Sequence, residues 1–375
     1  MSDYFGKDVF KLGFGMMRLP KNADGSIDIP QTCKMVDMFL EGGGTYFDTA
    51  YVYDGGGSEK AIKEALVDRH PRESFTLATK LNASPGVCQD EESAKQQFYT
   101  SLERTGAGYF DYYLLHALQY ENIDNYNKYG LWDFGRELKE KGLIRYFGFS
   151  FHSTPEHLDE LLTAHPEVDF IQLQINYADM ENANVCSRAC YEVARKHGKS
   201  IVVMEPVKGG TLANPPQRVA DILKEANPEA SCASWAIRFV ASMDGILTVL
   251  SGMSNIEQME DNMSYMKDFK PLTDAEYETI RKAQEALNSV RTYPCTACRY
   301  CTPGCPMNID IPGVLSAMNC LFLFGDKKKA DWQYRDAVRG HGKASECIQC
   351  GQCESACPQH LPIISYLEES AENLE

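Results

Sequence analysis

The sequence predicts an α/β protein in which a (β/α)₈ TIM barrel is followed by a small, mostly α-helical domain rich in cysteine. Over the first ~260 residues, short β-rich runs alternate with longer stretches of helical periodicity, as eight βα units require. Nine of the fourteen cysteines lie between Cys295 and Cys357, and the composition changes abruptly near Tyr293–Pro294. These observations indicate two domains, as the chain length also suggests.

Eight strands are predicted because each run is short and apolar without strict alternation, which is typical of a parallel sheet covered on both faces. They are Lys11–Met16, Thr45–Thr49, Phe75–Thr79, Tyr109–Leu115, Ile144–Ser150, Phe170–Ile175, Ser200–Met204 and Leu247–Ser251. Helices are predicted at Pro30–Gly42, Ser58–Val67, Glu91–Thr105, Gly130–Lys141, Pro155–Ala164, Asn182–His197, Ser231–Ala241 and Asn255–Tyr265. Eight such units are what a closed parallel barrel requires.

The barrel is expected to occupy residues 1–270, followed by a linker helix within 271–294 and a cysteine-rich domain over 295–375. The linker pattern at Pro271–Asn288 is amphipathic and begins with a capping box formed by Thr273 and Glu276. Two further helices, Pro312–Phe324 and Lys327–Arg339, are expected inside the cysteine-rich domain.

Charge and hydropathy exclude several classes of function. The chain has 53 acidic against 37 basic residues and a formal net charge of −16, so neither a nucleic acid nor an anionic membrane surface is an expected partner. The N-terminal residues lack the pattern of a signal peptide, and no apolar run approaches the ~20 residues that a membrane span needs. We therefore expect a cytoplasmic protein.

Eight cysteines form two copies of one motif, Cys-x₂-Cys-x₂-Cys-x₃-Cys-Pro, which is typical of bacterial ferredoxins and in which the fourth cysteine serves the other cluster. The first copy is Cys295, Cys298, Cys301 and Cys305; the second is Cys347, Cys350, Cys353 and Cys357. One [4Fe–4S] cluster is therefore assigned to Cys295, Cys298, Cys301 and Cys357, and the other to Cys347, Cys350, Cys353 and Cys305. A pair of zinc sites is the alternative, although zinc does not require this four-cysteine run with its proline.

The segments CPMNIDIP and CIQCGQCESACP resemble the α-helical ferredoxin modules of succinate dehydrogenase and heterodisulfide reductase more than the compact βαβ ferredoxin. The ninth cysteine of this region, Cys320, lies on an apolar helix face and is predicted to belong to the core.

Four barrel segments resemble the aldo–keto reductase family: TYFDTAYVYDGGGSE, FTLATK, YYLLHA and IRYFGFSFH, within a resemblance that covers about residues 10–265. The resemblance implies a catalytic tetrad of Asp48, Tyr53, Lys80 and His116. Each of these falls at the carboxyl end of a predicted strand, where barrel enzymes place their chemistry. A single such residue at a strand end is often structural, so it is the combination that carries the prediction.

The chemistry of carbonyl reduction is consistent with these implied roles. Hydride must reach the carbonyl carbon and a proton must reach the oxygen, and Tyr53 would act as the acid/base. The ammonium of Lys80 would lower the pKa of Tyr53, and Asp48 would hold Lys80 in place. His116 would orient the carbonyl oxygen, and His152, which follows the fifth strand, is a further candidate for the substrate pocket.

The resemblance also implies a nicotinamide site. The nicotinamide would lie against Gln174 and Asn176, with Glu205 near the following strand end. Phosphate and adenosine contacts are implied for Gly252, Ser254, Gln258, Asp261 and Asn262. The last set begins a helix, where backbone N–H groups favour phosphate.

The form of the cofactor is predicted from charge. The segment Leu247–Met266 contains no Arg or Lys, but it carries Glu257, Glu260 and Asp261. A 2′-phosphate would meet carboxylates there, so NAD(H) is favoured over NADP(H). Lys208 is the nearest cation that could compensate, and a flavin at the same phosphate site is the alternative cofactor.

The sequence thus predicts an oxidoreductase that reduces a small-molecule carbonyl, or oxidises an alcohol, and is coupled to two [4Fe–4S] clusters that transfer electrons. Hydride moves two electrons while each cluster moves one, so a flavin-dependent reductase with electrons passed through the clusters is one alternative. A redox-sensing or electron-carrying subunit is the other. An electron-transfer protein is the second partner that these alternatives imply.

Overall fold

The protein was analysed as a computed structural model, which describes residues 9–84, 86–120, 122–182, 185–293, 295, 301–357 and 361–375. Within these residues the chain forms two compact units. The barrel unit runs to Gly209 and resumes over Ala233–Tyr277, and the cysteine-rich unit comprises Gly210–Cys232 and the chain from Glu278 onward. Among the described residues, no helix is both long and apolar enough to cross a bilayer.

Eight parallel strands form a closed barrel in sequential order. They are β1 (Leu12–Gly15), β2 (Tyr46–Asp48), β3 (Thr76–Leu81), β4 (Phe110–Leu118), β5 (Ile144–Phe151), β6 (Phe170–Gln174), β7 (Ser200–Met204) and β8 (Ile246–Ser251). The barrel closes where β1 pairs with β8, with Leu12 opposite Val249. The predicted (β/α)₈ fold is confirmed, and each strand lies where the apolar pattern placed it, with small shifts at the ends.

The barrel interior is filled by side chains, as in other (β/α)₈ proteins. Tyr46 and Tyr112 pack with their ring centroids 4.7 Å apart, and Phe170 meets Tyr112 edge to face at 5.3 Å. Gly148 faces this layer from β5, where an added Cβ would lie 2.5 Å from the Phe170 carbonyl oxygen. Only glycine therefore fits at that approach.

Helices surround the barrel and build most of the second unit. They are α1 (Ile29–Glu41), α2 (Gly57–Ile62), α3 (Glu91–Thr105), α4 (Ile123–Lys128), α5 (Leu131–Glu140), α6 (Pro155–Ala164), α7 (Ser187–Lys196), α8 (Gln217–Ala226), α9 (Cys232–Ala241), α10 (Ile256–Met266), α11 (Asp274–Asn288), α12 (Ile311–Phe324), α13 (Lys327–Ala337), α14 (Gln352–Ala356) and α15 (Ile363–Leu374). Short 3₁₀ turns lie at Met16–Arg18, Tyr53–Gly56, Arg72–Ser74, Thr211–Ala213 and Ala344–Glu346, and a π turn at Lys63–Val67 continues α2.

The cysteine-rich unit has its own apolar core, built around α12 and α15. Tyr293 stacks on Tyr366 with ring centroids 3.9 Å apart, and the Asn319 side chain bonds both the backbone N–H and C=O of Tyr293. Cys320 is 5% exposed and belongs to this core, as expected. Tyr293 lies two residues before Cys295, so these contacts fix the chain where the first cysteine motif begins.

Candidate active site and cluster sites

A buried ion pair lies where β2 and β3 end at the carboxyl rim of the barrel. Lys80 Nζ donates to Asp48 Oδ1 at 2.6 Å and to the backbone oxygen of Thr49 at 2.7 Å. Both side chains are at least 96% buried. Burial raises the pKa of Asp48, an effect that Lys80 partly offsets. Burial alone would lower the pKa of Lys80, but Asp48 and Tyr53 hold it above its ordinary value, so the lysine is an ammonium.

Tyr53 opens the turn that follows β2, and its hydroxyl lies 3.4 Å from Lys80 Nζ. The ammonium also lies 4.8 Å from the centre of the tyrosine ring. Burial raises the pKa of Tyr53, whereas Lys80 acts to lower it. The sequence predicts that the ammonium lowers the pKa of Tyr53, and its contribution has that sign. Burial and the carboxylates of Asp48 and Glu205 outweigh it, so the pKa is raised. Tyr53 therefore keeps its proton.

The turn after Tyr53 is held in an uncommon backbone conformation. Asp54, Gly55 and Gly56 all have positive φ, at 53°, 62° and 90°. Arg104 lies directly beneath this turn and donates from Nη1 to the Tyr51 carbonyl at 3.0 Å.

Arg104 is itself fixed by a fully buried carboxylate. Its Nη1 also lies 3.1 Å from Glu59 Oε2, and Glu59 accepts a second bond from Thr79 Oγ1 at 2.8 Å. No sequence motif marks this Arg–Glu pair, which supports the turn that carries Tyr53.

His116 reaches the site from an irregular stretch of β4. The pairing of β4 with β5 shifts register between Leu115 and Leu118, and Ala117 has a φ of 54°. Such bulges re-aim side chains at barrel rims. The imidazole meets the Tyr53 ring edge to face with centroids 5.6 Å apart, and its Nδ1 has no hydrogen-bond partner among the described residues. Burial, with Lys80 and His152 nearby, lowers the pKa of His116 well below its ordinary value.

The structure therefore brings together all four residues that the resemblance implied. A protonated phenol, a buried ammonium and a neutral imidazole meet at one point of the rim. Chemically, this set can donate a proton to a carbonyl oxygen and stabilise the phenolate that is left behind.

The residues implied for the nicotinamide form a network around Asp179. Asn176 Nδ2 donates to Asp179 Oδ2 at 2.8 Å and to the Glu205 carbonyl at 3.1 Å, and Gln174 Nε2 donates to the same carboxylate at 3.1 Å. Asp179 is 1% exposed and forms an ion pair with Lys208. Lys208, the expected compensating cation, is thus already neutralised by a buried carboxylate.

The implied phosphate residues lie after β8, at the start of α10. The Ser254 N–H bonds Gln258 Oε1 at 2.8 Å, and Asn255 caps the helix by accepting from Gln258 N at 2.9 Å. Asn262 is buried and donates to Ser251 Oγ at 2.6 Å, so its amide supports the strand end. Gly252 is exposed in the segment between Ser251 and Ser254. Asp261 lies in the middle of α10.

Arg18, which the sequence analysis did not single out, is the cation beside this segment. It follows β1, and its aliphatic carbons would lie 3.7 Å from a Cβ on Gly252. Its guanidinium pairs with Glu205 Oε1 at 3.3 Å and donates to the Gly209 carbonyl at 3.1 Å. The sequence signal that could have identified Arg18 is its position shortly after the first barrel strand. Residues at the carboxyl ends of the strands meet at the barrel rim even when they are distant in sequence.

The amides of Gln174 and Asn176, which are implied for the carboxamide of a nicotinamide, both donate to Asp179 in this structure. The phosphate end of a nicotinamide dinucleotide fits the residues present better. The helix start after Gly252, with Arg18 beside it, matches a phosphate group.

In the cysteine-rich unit, four cysteines line one cavity. They are Cys305, Cys347, Cys350 and Cys353, and much of the remaining lining is apolar, with Ile309, Ile311, Ile364 and Leu367. The Ile309 N–H points to Cys305 Sγ at 3.4 Å, as N–H groups do toward cluster thiolates. These four cysteines are the set predicted for one [4Fe–4S] cluster, with Cys305 supplied by the first motif. The four thiols and the apolar lining of the cavity fit such a cluster.

For the other predicted cluster, Cys301 and Cys357 are buried and Cys295 is half-buried in the same core. Cys298 lies outside the described residues. Within the described part of the chain, no three His, Cys, Asp or Glu side chains are grouped closely enough to hold one metal ion.

Two parts of the chain match known protein families. Residues 11–285, well over half of the sequence, match the model of the aldo/keto reductase family. The chain belongs to the aldo/keto reductase family. Residues 294–361 match a 4Fe-4S dicluster domain, so this aldo/keto reductase is an oxidoreductase that also carries a ferredoxin-like iron–sulfur domain. The resemblance expected from the sequence is confirmed for both parts.

Curated relatives align along most of their length. The uncharacterized oxidoreductase YqkF of Bacillus subtilis is 26% identical over 303 residues, covering 73% of this chain and 92% of the relative. The NADH-specific methylglyoxal reductase of Escherichia coli is 24% identical over 322 residues, covering 70% and 90%.

Solved aldo/keto reductase structures share the barrel. The holo form of a Bacillus halodurans aldo-keto reductase is 27% identical with a TM-score of 0.59, covering 73% of this chain and 91% of that chain. A Klebsiella pneumoniae aldo-keto reductase in complex with NADPH has 21% identity and a TM-score of 0.57, covering 74% and 92%. At that identity, the second likeness shows the fold alone.

Proposed function

We propose that the barrel reduces a small-molecule carbonyl, or oxidises the corresponding alcohol in reverse, with Tyr53 as the proton donor. The observation that carries this proposal is the position of Lys80 Nζ, 2.6 Å from Asp48 and 3.4 Å from the Tyr53 hydroxyl. A buried, fixed ammonium beside a phenol stabilises the phenolate that proton donation creates.

The residues would share the reaction as follows. His116, held neutral, donates a hydrogen bond to the carbonyl oxygen and orients it. The hydride that the carbonyl carbon receives would come from a reduced nicotinamide when it is bound. Tyr53 gives its proton to the oxygen, so that an alcohol leaves, and the phenolate recovers a proton from solvent.

We further propose that NADH is preferred over NADPH. Arg18, which lies beside the candidate phosphate segment, is paired with Glu205, and Lys208 is paired with Asp179; these pairs leave little positive charge for a 2′-phosphate. The names of similar proteins include both an NADH-specific reductase and an NADPH complex, so a direct measurement is needed.

The test is cofactor consumption by the anaerobically purified, cluster-loaded protein. Short-chain aldehydes should drive oxidation of NADH with a higher kcat/KM than oxidation of NADPH. Higher kcat/KM with NADPH would overturn the cofactor preference alone. The proposed reaction would be overturned if no aldehyde drives oxidation of NADH or NADPH and no corresponding alcohol drives reduction of NAD⁺ or NADP⁺.

For the C-terminal part, we propose that residues 295–375 hold two clusters which exchange electrons with a partner protein, and that 271–294 link them to a barrel domain over 1–270. The exposure of Cys350 and of Ile348, which is 59% exposed at the mouth of the four-cysteine cavity, supports an electron route to the surface. Thiolate ligands of this kind also favour a reducing compartment, which supports a cytoplasmic location.

A second candidate function follows from having both sites in one chain. A flavin on the barrel phosphate segment could divide electron pairs between a substrate and one-electron clusters. An anaerobic absorbance titration with NADH separates the two functions. Bleaching of the iron–sulfur band, together with flavin in the purified protein, would favour the second candidate; a persistent band with aldehyde reduction favours the first.

A further inference from the structure

The exposed side of α13, in the cysteine-rich unit, carries an aromatic ring between two cations. Lys328, Trp332 and Arg335 follow one another at i, i+4 and i+7, so they share one face of the helix, and all three are exposed. Trp332 is 64% exposed. Ala330 and Tyr334 bury the opposite side. One side therefore holds α13 in its unit, and the other, the Trp332 face, is open to solvent.

The charge around the Trp332 face is opposite to that of the whole chain. Residues 327–343 contain six lysines and arginines against two aspartates, whereas the chain has a formal net charge of −16. Both aspartates are paired with other cations of the segment, and among the described residues no carboxylate forms an ion pair with Lys328 or Arg335. These two cations are therefore available to negative charges on another molecule.

Hydrogen bonds join the segment after α13 to the chain beside a predicted cluster ligand. Gly342 forms a β-bridge with Ile309, and Asn308 Nδ2 donates to the Gly340 carbonyl at 3.2 Å. The Ile309 N–H in turn points to Cys305 Sγ at 3.4 Å. The basic segment is thus two hydrogen bonds away from a thiol that lines the four-cysteine cavity.

Tyr334 joins α13 to the second cysteine motif as well. Its hydroxyl accepts a hydrogen bond from the Ala344 N–H at 2.9 Å, three residues before Cys347. Cys305 and Cys347 both line the four-cysteine cavity. A protein bound on the Trp332 face would therefore contact the element that supports ligands from both motifs.

The acidic helix α15 is the alternative docking surface, but its charges already have partners nearby. Glu368 accepts from Gln349 Nε2 at 2.7 Å, and Glu369 pairs with Arg291 at 2.6 Å. A partner at α15 would have to be basic. The available cations and the exposed ring favour the Trp332 face, and the experiment below includes a basic carrier.

We propose that the Trp332 face docks an acidic one-electron carrier protein. The inference rests on the proposed electron exchange and names the chemistry of the partner. Trp332 offers a large apolar contact area, and the cations beside it would steer and hold carboxylates of the carrier. Each encounter moves one electron, so that the carrier is reduced as a cluster held by Cys305 is oxidised, or the reverse.

The experiment measures binding of oxidised plant-type ferredoxin, an acidic [2Fe–2S] carrier, to the cluster-loaded protein by isothermal titration calorimetry. At an ionic strength of about 0.15 M, charges more than about 8 Å apart are largely screened, so local charge outweighs net charge. We expect Lys328→Glu combined with Arg335→Glu, and separately Trp332→Ala, to raise Kd about tenfold or more. The iron content should stay that of the wild type, because all three side chains are exposed.

Matched controls change the same chemistry elsewhere on the surface. Lys34→Glu combined with Lys60→Glu alters the net charge equally, and both lysines are exposed on helices of the barrel unit. Tyr99→Ala removes another exposed aromatic side chain, on α3. Neither control should change Kd appreciably.

Unchanged ferredoxin affinity in either Trp332-face variant, or equal losses in the variants and their controls, would overturn the inference. So would the absence of ferredoxin binding to the wild type, or tighter binding of cytochrome c, a basic carrier, or of a DNA duplex.

Electron transfer from the dithionite-reduced protein to ferredoxin, followed by absorbance, tests the proposed function separately. Ferredoxin that binds without being reduced would overturn the proposed electron exchange, while the Kd values of the variants would still decide the docking surface. Reduction of ferredoxin at the same second-order rate constant by the wild type and both variants would leave the exchange standing and overturn the docking surface.

Discussion

The ammonium of Lys80 lies 3.4 Å from the hydroxyl of Tyr53, on a lysine that is 1% exposed and paired with Asp48. The ammonium favours the phenolate, whereas burial and the nearby carboxylates of Asp48 and Glu205 favour the phenol, and the phenol prevails. The tyrosine therefore holds its proton at neutral pH while its conjugate base has a cation within reach. This balance determines how the site should respond to pH.

Carbonyl reduction should be lost only on the alkaline side. Reduction needs protonated Tyr53, whose pKa is raised above about 10, so kcat/KM should fall only above that pH. Lys80→Met removes the group that lowers this pKa, so the alkaline limb should move to higher pH while kcat decreases. The profile of kcat/KM against pH tests this, with Lys95→Met on the surface of α3 as the control. An alkaline limb that stays in place or moves to lower pH in Lys80→Met would contradict the assignment.

Asp48→Asn should destabilise the barrel as well as slow the reaction. The substitution leaves the Lys80 ammonium buried without its carboxylate, which costs about 3 kcal/mol. Denaturant unfolding followed by tryptophan fluorescence measures the loss. Glu91→Gln, which breaks the exposed pair with Lys95, is the control and should have a much smaller effect. Equal losses of unfolding free energy in the two variants would show that the buried pair stabilises the protein no more than the exposed pair does.

Gly56→Ala should reduce activity by disturbing the turn that carries Tyr53. An added Cβ would lie 2.6 Å from Arg104 Cζ, and Arg104 can withdraw only by giving up its bonds to Tyr51 and Glu59. We expect kcat to fall about tenfold or more, because small displacements of a reacting group are costly.

Gly25→Ala separates the clash from backbone strain. Gly25 has a φ of 86°, close to the 90° of Gly56, but no described atom lies within 4 Å of its added Cβ. Both variants strain the backbone, and Gly56→Ala alone meets Arg104. Similar kcat values in the two variants would show that Arg104 does not position the turn.

Cys305→Ser should remove one cluster. Because Cys305 lines the cavity formed with Cys347, Cys350 and Cys353, iron should fall from about eight to about four atoms per chain. Iron analysis and electron paramagnetic resonance of the reduced protein provide the measurement, with Cys33→Ser on α1 as the control. Retention of all the iron in Cys305→Ser would contradict Cys305 as a cluster ligand.

The barrel was predictable because each strand is an apolar run set between caps and turns, and these signals are local. The helices Ile123–Lys128 and Gln217–Ala226 are not predicted, because they lack such clear local signals. The first is short, and the second follows two prolines that read as a loop. The sequence also predicts no helix at Ile363–Leu374, whose apolar residues follow the second cysteine motif after a few residues.

The site was predictable where one motif carries one role, as for Tyr53, and less so where distant residues converge. Arg18 lies beside Gly252 although more than two hundred residues separate them, so the sequence around the eighth strand does not reveal this cation. The compact cysteine-rich unit also takes in Gly210–Cys232, a segment between β7 and β8 with no cysteine motif to mark it.

The most direct test of the account is Tyr53→Phe in the anaerobically prepared protein, with aldehyde-dependent oxidation of NADH and NADH affinity measured together. The phenyl ring keeps the packing against His116 and Lys80 but has no proton to give. We predict a loss of turnover of about 10²- to 10⁴-fold with cofactor affinity unchanged. Turnover comparable to that of the wild type would remove Tyr53 from the chemistry and contradict the proposed mechanism.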